Sequence, residues 1–126
     1  MAFKVDNNGN ITMIQGDSGS LIIDGLNTDK NYTVYLAIQD KNRNTVGNEL
    51  NVLSNYSSTV IFYLTGNYTD LLVVPKNKDF ETYYYGIKIC DTTENSEDTL
   101  ILGNGNIGDL NIITVFPKKV EGENYD

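Results

Sequence analysis

Apolar and polar residues alternate with a period of two through most of this chain, and no long stripe of period 3.6 interrupts them. Alternation of that kind predicts strands with one face in a core and the other in water. The first clear strand covers residues 10–14, after the turn-forming Asn7-Asn8-Gly9. The pattern breaks at Gly16-Asp17-Ser18-Gly19 and resumes over 20–23. A longer strand is predicted over 32–40, with Tyr32, Val34, Leu36 and Ile38 inward and Thr33, Tyr35 and Ala37 outward. Weaker alternation at 49–53 precedes a strand over 59–64, whose inward residues are Val60, Phe62 and Leu64. The strongest strand runs over 81–90. There Tyr83, Tyr85, Ile87 and Ile89 share one face, while Tyr84, Gly86, Lys88 and Cys90 share the other. Segments at 99–102 and 110–116, with a turn at Gly103-Asn104-Gly105-Asn106 between them, complete the set.

One helical turn is predicted within 65–73, capped by Thr65 or Asn67 and ended by Pro75. Compact strands with a single helical turn predict an all-β fold, an antiparallel β-sandwich in one domain spanning 1–126. Its core covers about 10–117, and 118–126 reads as a flexible charged tail. The order of helical turn, polar loop and Tyr83-Tyr84-Tyr85 matches a tyrosine corner entering a late strand, so the sandwich is predicted to be immunoglobulin-like. The inter-sheet cysteine pair and core tryptophan of true immunoglobulin domains are missing.

Charge narrows the function. Among 126 residues, 17 are acidic and 9 basic, for a net charge of −8. A nucleic-acid binder clusters Lys and Arg to neutralise phosphates, and the only basic cluster here is Lys118-Lys119. An anionic membrane surface is disfavoured in the same way. No apolar run has the length of a signal peptide or a bilayer span, which predicts synthesis in the cytoplasm without membrane insertion. Cys90 is the sole cysteine, so no intrachain disulfide forms.

Candidate catalytic and metal-binding patterns dissolve on inspection. Gly16-Asp17-Ser18-Gly19 is the tetrapeptide around the nucleophilic serine of chymotrypsin-like proteases, but the chain has no histidine to take the proton. Cys90 lacks an activating histidine for the same reason. The acidic run at 91–98 has the oxygen donors of a calcium loop, yet Ser96 stands where that loop needs glycine. It reads as a solvated loop between strands. No pattern marks a pair of carboxylates facing each other across a cleft. Gly103, Gly105 and Gly108 precede a strand instead of opening a helix, which makes them turn glycines and not a phosphate cradle. No cofactor, metal or catalytic residue is therefore expected. The outward tyrosines Tyr35, Tyr63 and Tyr84 are the candidate interface, for a protein partner or for stacking on sugar rings.

Several segments together resemble one family. Ile11-Thr12-Met13-Ile14-Gln15-Gly16-Asp17-Ser18 is similar to the opening strand and turn of the N-terminal domain of phage baseplate upper proteins. Leu64-Thr65, Leu71-Leu72 and Thr82-Tyr83-Tyr84-Tyr85-Gly86-Ile87-Lys88-Ile89 follow in the family's order, as do Glu97-Asp98-Thr99 and Val115-Phe116-Pro117-Lys118. The resemblance covers about residues 10–118. Gln15 stands where the family has a basic residue, and Gly86 where it often has Asp. The resemblance implies an immunoglobulin-like sandwich and a non-enzymatic role in a phage or prophage tail or baseplate. It implies docking on other tail proteins or on further copies of itself, and incorporation into the virion after synthesis. The alternative from another class is a small carbohydrate-binding or adhesin-like sandwich.

Overall fold

The computed structural model of the protein describes residues 2–100 and 110–123. The strands are β1 Lys4–Val5, β2 Ile11–Ile14, β3 Gly19–Ile23, β4 Tyr32–Gln39, β5 Leu50–Leu53 and β6 Val60–Leu64. After the helical turn α1 Gly66–Thr69 come β7 Glu81–Asp91, β8 Ser96–Leu100 and β9 Asn111–Phe116. The large sheet has the order β1-β2-β9-β7-β4-β5, with β8 also paired to β7, and the small sheet is β3-β6. The chain changes sheet between β2 and β3, between β3 and β4, and on either side of β6. Those crossings make an immunoglobulin-like β-sandwich.

Alternation explains the core. The inward side chains of β4 (Val34, Leu36, Ile38) and β7 (Tyr83, Tyr85, Ile87) are buried, as are Val60, Phe62 and Leu64 of β6. Leu21 and Ile23 of β3 close the core from the small sheet, and Ile11, Met13, Ile113 and Val115 extend it across the large one. Burying each such side chain is worth about 1.5–3 kcal/mol relative to leaving it in water. Leu72 and Val74, just after α1, fill the end of the sandwich. Thr65 caps α1, its hydroxyl oxygen accepting the Tyr68 N–H at 3.2 Å.

Two tyrosine hydroxyls then fasten the loops. Tyr83 donates to the Val73 carbonyl at 2.6 Å, the tyrosine corner expected from the sequence. Tyr85 crosses the core and donates to the Gly9 carbonyl. Each ring contributes burial while its hydroxyl remains paired, which is what a buried tyrosine requires.

The structure departs from the sequence reading in four places. The sheet is mixed: β2 lies parallel to β9, with Ile11 opposite Ile113 and Ile14 opposite Phe116. A parallel pair needs a long connection, and here nearly the whole chain supplies it. The acidic run at 91–98 is not one loop. Asp91 ends β7 as a buried residue, Ser96 to Asp98 lie in β8, and only 92–95 form the turn. Both faces of β8 are wet along most of its length, so no alternation marks it. The predicted strand at 99–102 is thus the end of β8, as far as Leu100; residues 101–102 and the turn glycines Gly103, Gly105 and Gly108 lie outside the described residues. Lys118, assigned to the tail, is instead held by the Asp70 carboxylate at 2.7 Å. Finally, β1 is two residues long and leaves no periodicity to read.

Asp91 shows why the β7–β8 turn closes where it does. Its carboxylate accepts the Thr93 N–H at 2.9 Å and pairs with Lys30 at 3.1 Å. Burial pushes its pKa upward, but the Thr93 and Glu94 N–H groups and Lys30 outweigh that and hold it below the ordinary value.

Ile87→Ala should lower unfolding free energy by about 2–5 kcal/mol in urea denaturation. Tyr63→Ala, on the water-facing side of β6, should change it by less than about 0.5 kcal/mol. The reverse ranking would mean that the strand faces are inverted. Stability should also fall at alkaline pH through Tyr85, whose pKa rises from 10.0 to about 12, first by burial and then by the charge of Asp6. Between those values the unfolded chain releases a proton that the folded one keeps, so stability is lost as pH rises through that window. In matched urea titrations at pH 9 and 11.5, wild type should lose more stability than Tyr85→Phe; equal losses would refute the assignment.

Candidate interaction surfaces

The tetrapeptide Gly16-Asp17-Ser18-Gly19 is structural. Gly16 has φ +87°, a conformation that favours glycine, and the Asp17 N–H closes the turn onto the Ile14 carbonyl at 3.1 Å. The Asp17 carbonyl accepts the hydroxyl of fully buried Thr69 at 2.8 Å, tying this turn to α1. Gly19 has the inward parity of Leu21, and the Phe3 ring occupies its side-chain space: a Cβ there would lie 2.2 Å from Phe3 Cγ. Ser18 is exposed, and no hydrogen bond joins it to a base among the described residues.

Asp70 gathers the same corner together. Gln15 Nε2 donates to the Asp70 carbonyl at 2.8 Å, and the Gln15 N–H donates to the Phe116 carbonyl at 2.9 Å. Lys118 brings the positive charge to the Asp70 carboxylate, and that bond raises the Lys118 pKa. Gln15 contributes an amide to this corner, and Lys118, far along the chain, contributes the cation.

The three candidate tyrosines do not converge. Tyr63 lies on β6 in the small sheet and is 70% exposed. Tyr35 and Tyr84 share the outward face of the large sheet, but Tyr35 sits opposite Lys88 and Tyr84 opposite Gln39, four positions further along. That is roughly 13 Å along the strands, so no common stacking platform exists.

What surrounds Tyr84 is more coherent. Outward residues of β4, β7 and β9 form four cross-strand rows. Ala37 and Gly86 make one, Gln39, Tyr84 and Ile112 the next, and Thr82 and Thr114 the third. Phe80 and Phe116 form the fourth, with ring centroids 6.0 Å apart. Gly86 leaves room for Leu110 to lean over the strand: a Cβ at Gly86 would lie 3.3 Å from Leu110 Cδ2. None of these residues is charged, and Phe80, Leu110, Ile112 and Phe116 are each 38–49% exposed. Sequence reasoning missed all four. For Ile112 and Phe116 the signal was present: Ile113 and Val115 inward makes those two outward, so β9 carries large apolar side chains on both faces.

The rows span roughly 20 by 14 Å from strand and residue spacings. That is less than the about 800 Å² per partner of a standard interface, so they suit its apolar centre within a polar rim. A hollow of about 340 Å³ adjoins the aromatic end, between Ala2, Ile14, Phe116, Pro117 and Lys119. Cys90 lies on the same side of β7 beyond Lys88, and burial followed by the Glu97 carboxylate pushes its thiol pKa up, away from nucleophilic reactivity. Among the described residues no cluster of metal-ligating side chains occurs, and no helix is long and apolar enough to cross a membrane.

Neither a family model nor a curated relative matches this chain.

Gly19→Ala should cost about 1–3 kcal/mol by overpacking against Phe3. In a Phe3→Ala background the same change should cost much less, giving a non-additive double-mutant cycle. Full additivity would show that Phe3 does not occupy the Gly19 site in solution.

Proposed function

We propose that this chain is a non-enzymatic docking module whose partner surface is the outward face of the large sheet. The observation that carries this reading is the run of four rows on β4, β7 and β9 without a charged side chain, on a molecule of net charge −8. A charge-free centre with Tyr, Phe and Ile loses its water at low desolvation cost, and interface centres are depleted of charge in this way. Asp40 beyond Gln39, Asp79 before Phe80 and the Lys88–Glu97 pair border it. Such a border steers a partner whose own apolar centre is rimmed by Lys and Arg.

The setting comes from the resemblance of residues 10–118 to the N-terminal domain of phage baseplate upper proteins. In this reading the module is a structural part of a phage or prophage tail or baseplate and works by protein–protein docking. The immunoglobulin-like sandwich and the Tyr83 corner are compatible with it. Acyl transfer through Ser18 or Cys90 has no supporting base.

Purified tailed particles from the source strain, analysed by mass spectrometry, should contain the chain at a structural copy number. Ile112→Lys should reduce its incorporation more than tenfold, by burying an unpaired charge at the interface centre, while thermal unfolding stays within a few degrees of wild type. Particles that lack the wild-type chain would remove the virion setting. Normal incorporation of the folded variant would remove this face as the docking surface.

A further inference from the structure

The small sheet has two strands, and β3 pairs with β6 alone. Apart from its bonds to β6, no backbone hydrogen bond among the described residues reaches residues 18–23. Alternate N–H and C=O groups of β3 therefore point along an open edge. Folded proteins guard such edges with charge, proline or brevity. The large sheet does so at two of its outer strands: β1 has two residues and carries Lys4, and β8 carries Glu97 and Asp98. At the other side of the sandwich β5 comes alongside β6. Strand β3 has no such guard. Its sequence, Gly-Ser-Leu-Ile-Ile, has no charge and no proline, and neither has Val-Ile-Phe-Tyr-Leu in β6. Ile22 is 56% exposed on the outward side, where an added strand would cover it.

The ends of β3 say what fits. Exposed Asp17 and Asp24 flank it, seven positions apart (24 − 17). Antiparallel pairing with a second copy about Leu21 would place Asp17 of each copy within one residue of Asp24 of the other. Facing like charges destabilise a strand pair, and two chains of net charge −8 repel as well. A strand with basic residues at both ends relieves both problems and fixes its own register. We infer that the open edge of β3 accepts an extended strand from a different protein, neutral and β-branched through its middle, with Lys or Arg at each end. Main-chain hydrogen bonds supply the affinity, and the two carboxylates supply the register. This edge lies on the opposite sheet from the Tyr84–Ile112 face, so either surface can fail without the other.

The test uses the full chain, ¹⁵N-labelled, and the capped peptide Lys-Thr-Val-Ile-Val-Ile-Thr-Lys, whose charges are seven positions apart. Binding should slow exchange of the edge-facing amides among residues 18–24 by at least about tenfold at saturation. The same peptide with Glu at both ends should bind at least about fivefold more weakly, as expected when two exposed ion pairs become two repulsions. The double variant Asp17→Lys, Asp24→Lys should reverse that preference. If the variant does not fold, the comparison of the two peptides on wild type decides alone. Equal affinity for the two peptides, protection at β1, β5 or β8 instead, or no protection at millimolar peptide would overturn the inference. So would a dimer that protects the same amides without peptide.

Discussion

The large sheet is built around β7, which pairs with three other strands. One edge of that strand pairs with β4, from Tyr32 opposite Asp91 to Gln39 opposite Tyr84. Its other edge serves two partners end to end: β9 along Glu81 to Tyr85, and β8 along Ile87 to Asp91. Only a strand of eleven residues can do this. Because side chains alternate, one register sends Tyr83, Tyr85 and Ile87 into the core and Tyr84 and Gly86 onto the exposed face. Core and candidate interface are two sides of the same constraint, and a one-residue slip would exchange them.

How much of this was legible depended on whether one face of an element is dry. Strands β4, β6 and β7 have one buried and one wetter face, so Val34-Leu36-Ile38 and Val60-Phe62-Leu64 announce themselves. Strand β8, wet along most of both faces, reads as an acidic loop. The parallel pairing of β2 with β9 joins opposite ends of the chain and leaves no local pattern. The candidate surface was half legible for a related reason. Alternation says that Tyr35, Tyr63 and Tyr84 face outward, but it does not say which sheet each belongs to. It was strand pairing that separated Tyr63 from the others, put Ile112 in Tyr84's row and put Phe116 two rows beyond it.

The Gly-Asp-Ser-Gly motif shows how residue types chosen for chemistry in one setting can be chosen for geometry in another. Gly16 supplies a positive φ, Asp17 a carbonyl for Thr69, and Gly19 an empty space for Phe3. None of these roles uses the serine hydroxyl. Nothing short-range in the sequence shows them, because Phe3, Thr69 and Asp70 reach this turn only through the tertiary fold.

The hollow beside Phe116 has a topological consequence. Ala2 and Lys119 line it together, because β1 folds back along β2 while β9 runs parallel to β2. The two ends of the sandwich thus meet at one corner, as a handle does on a cup. A short linker between them would make a circular permutant without rethreading either sheet. Chain ahead of β1 and chain after β9 therefore pass the same corner of the molecule.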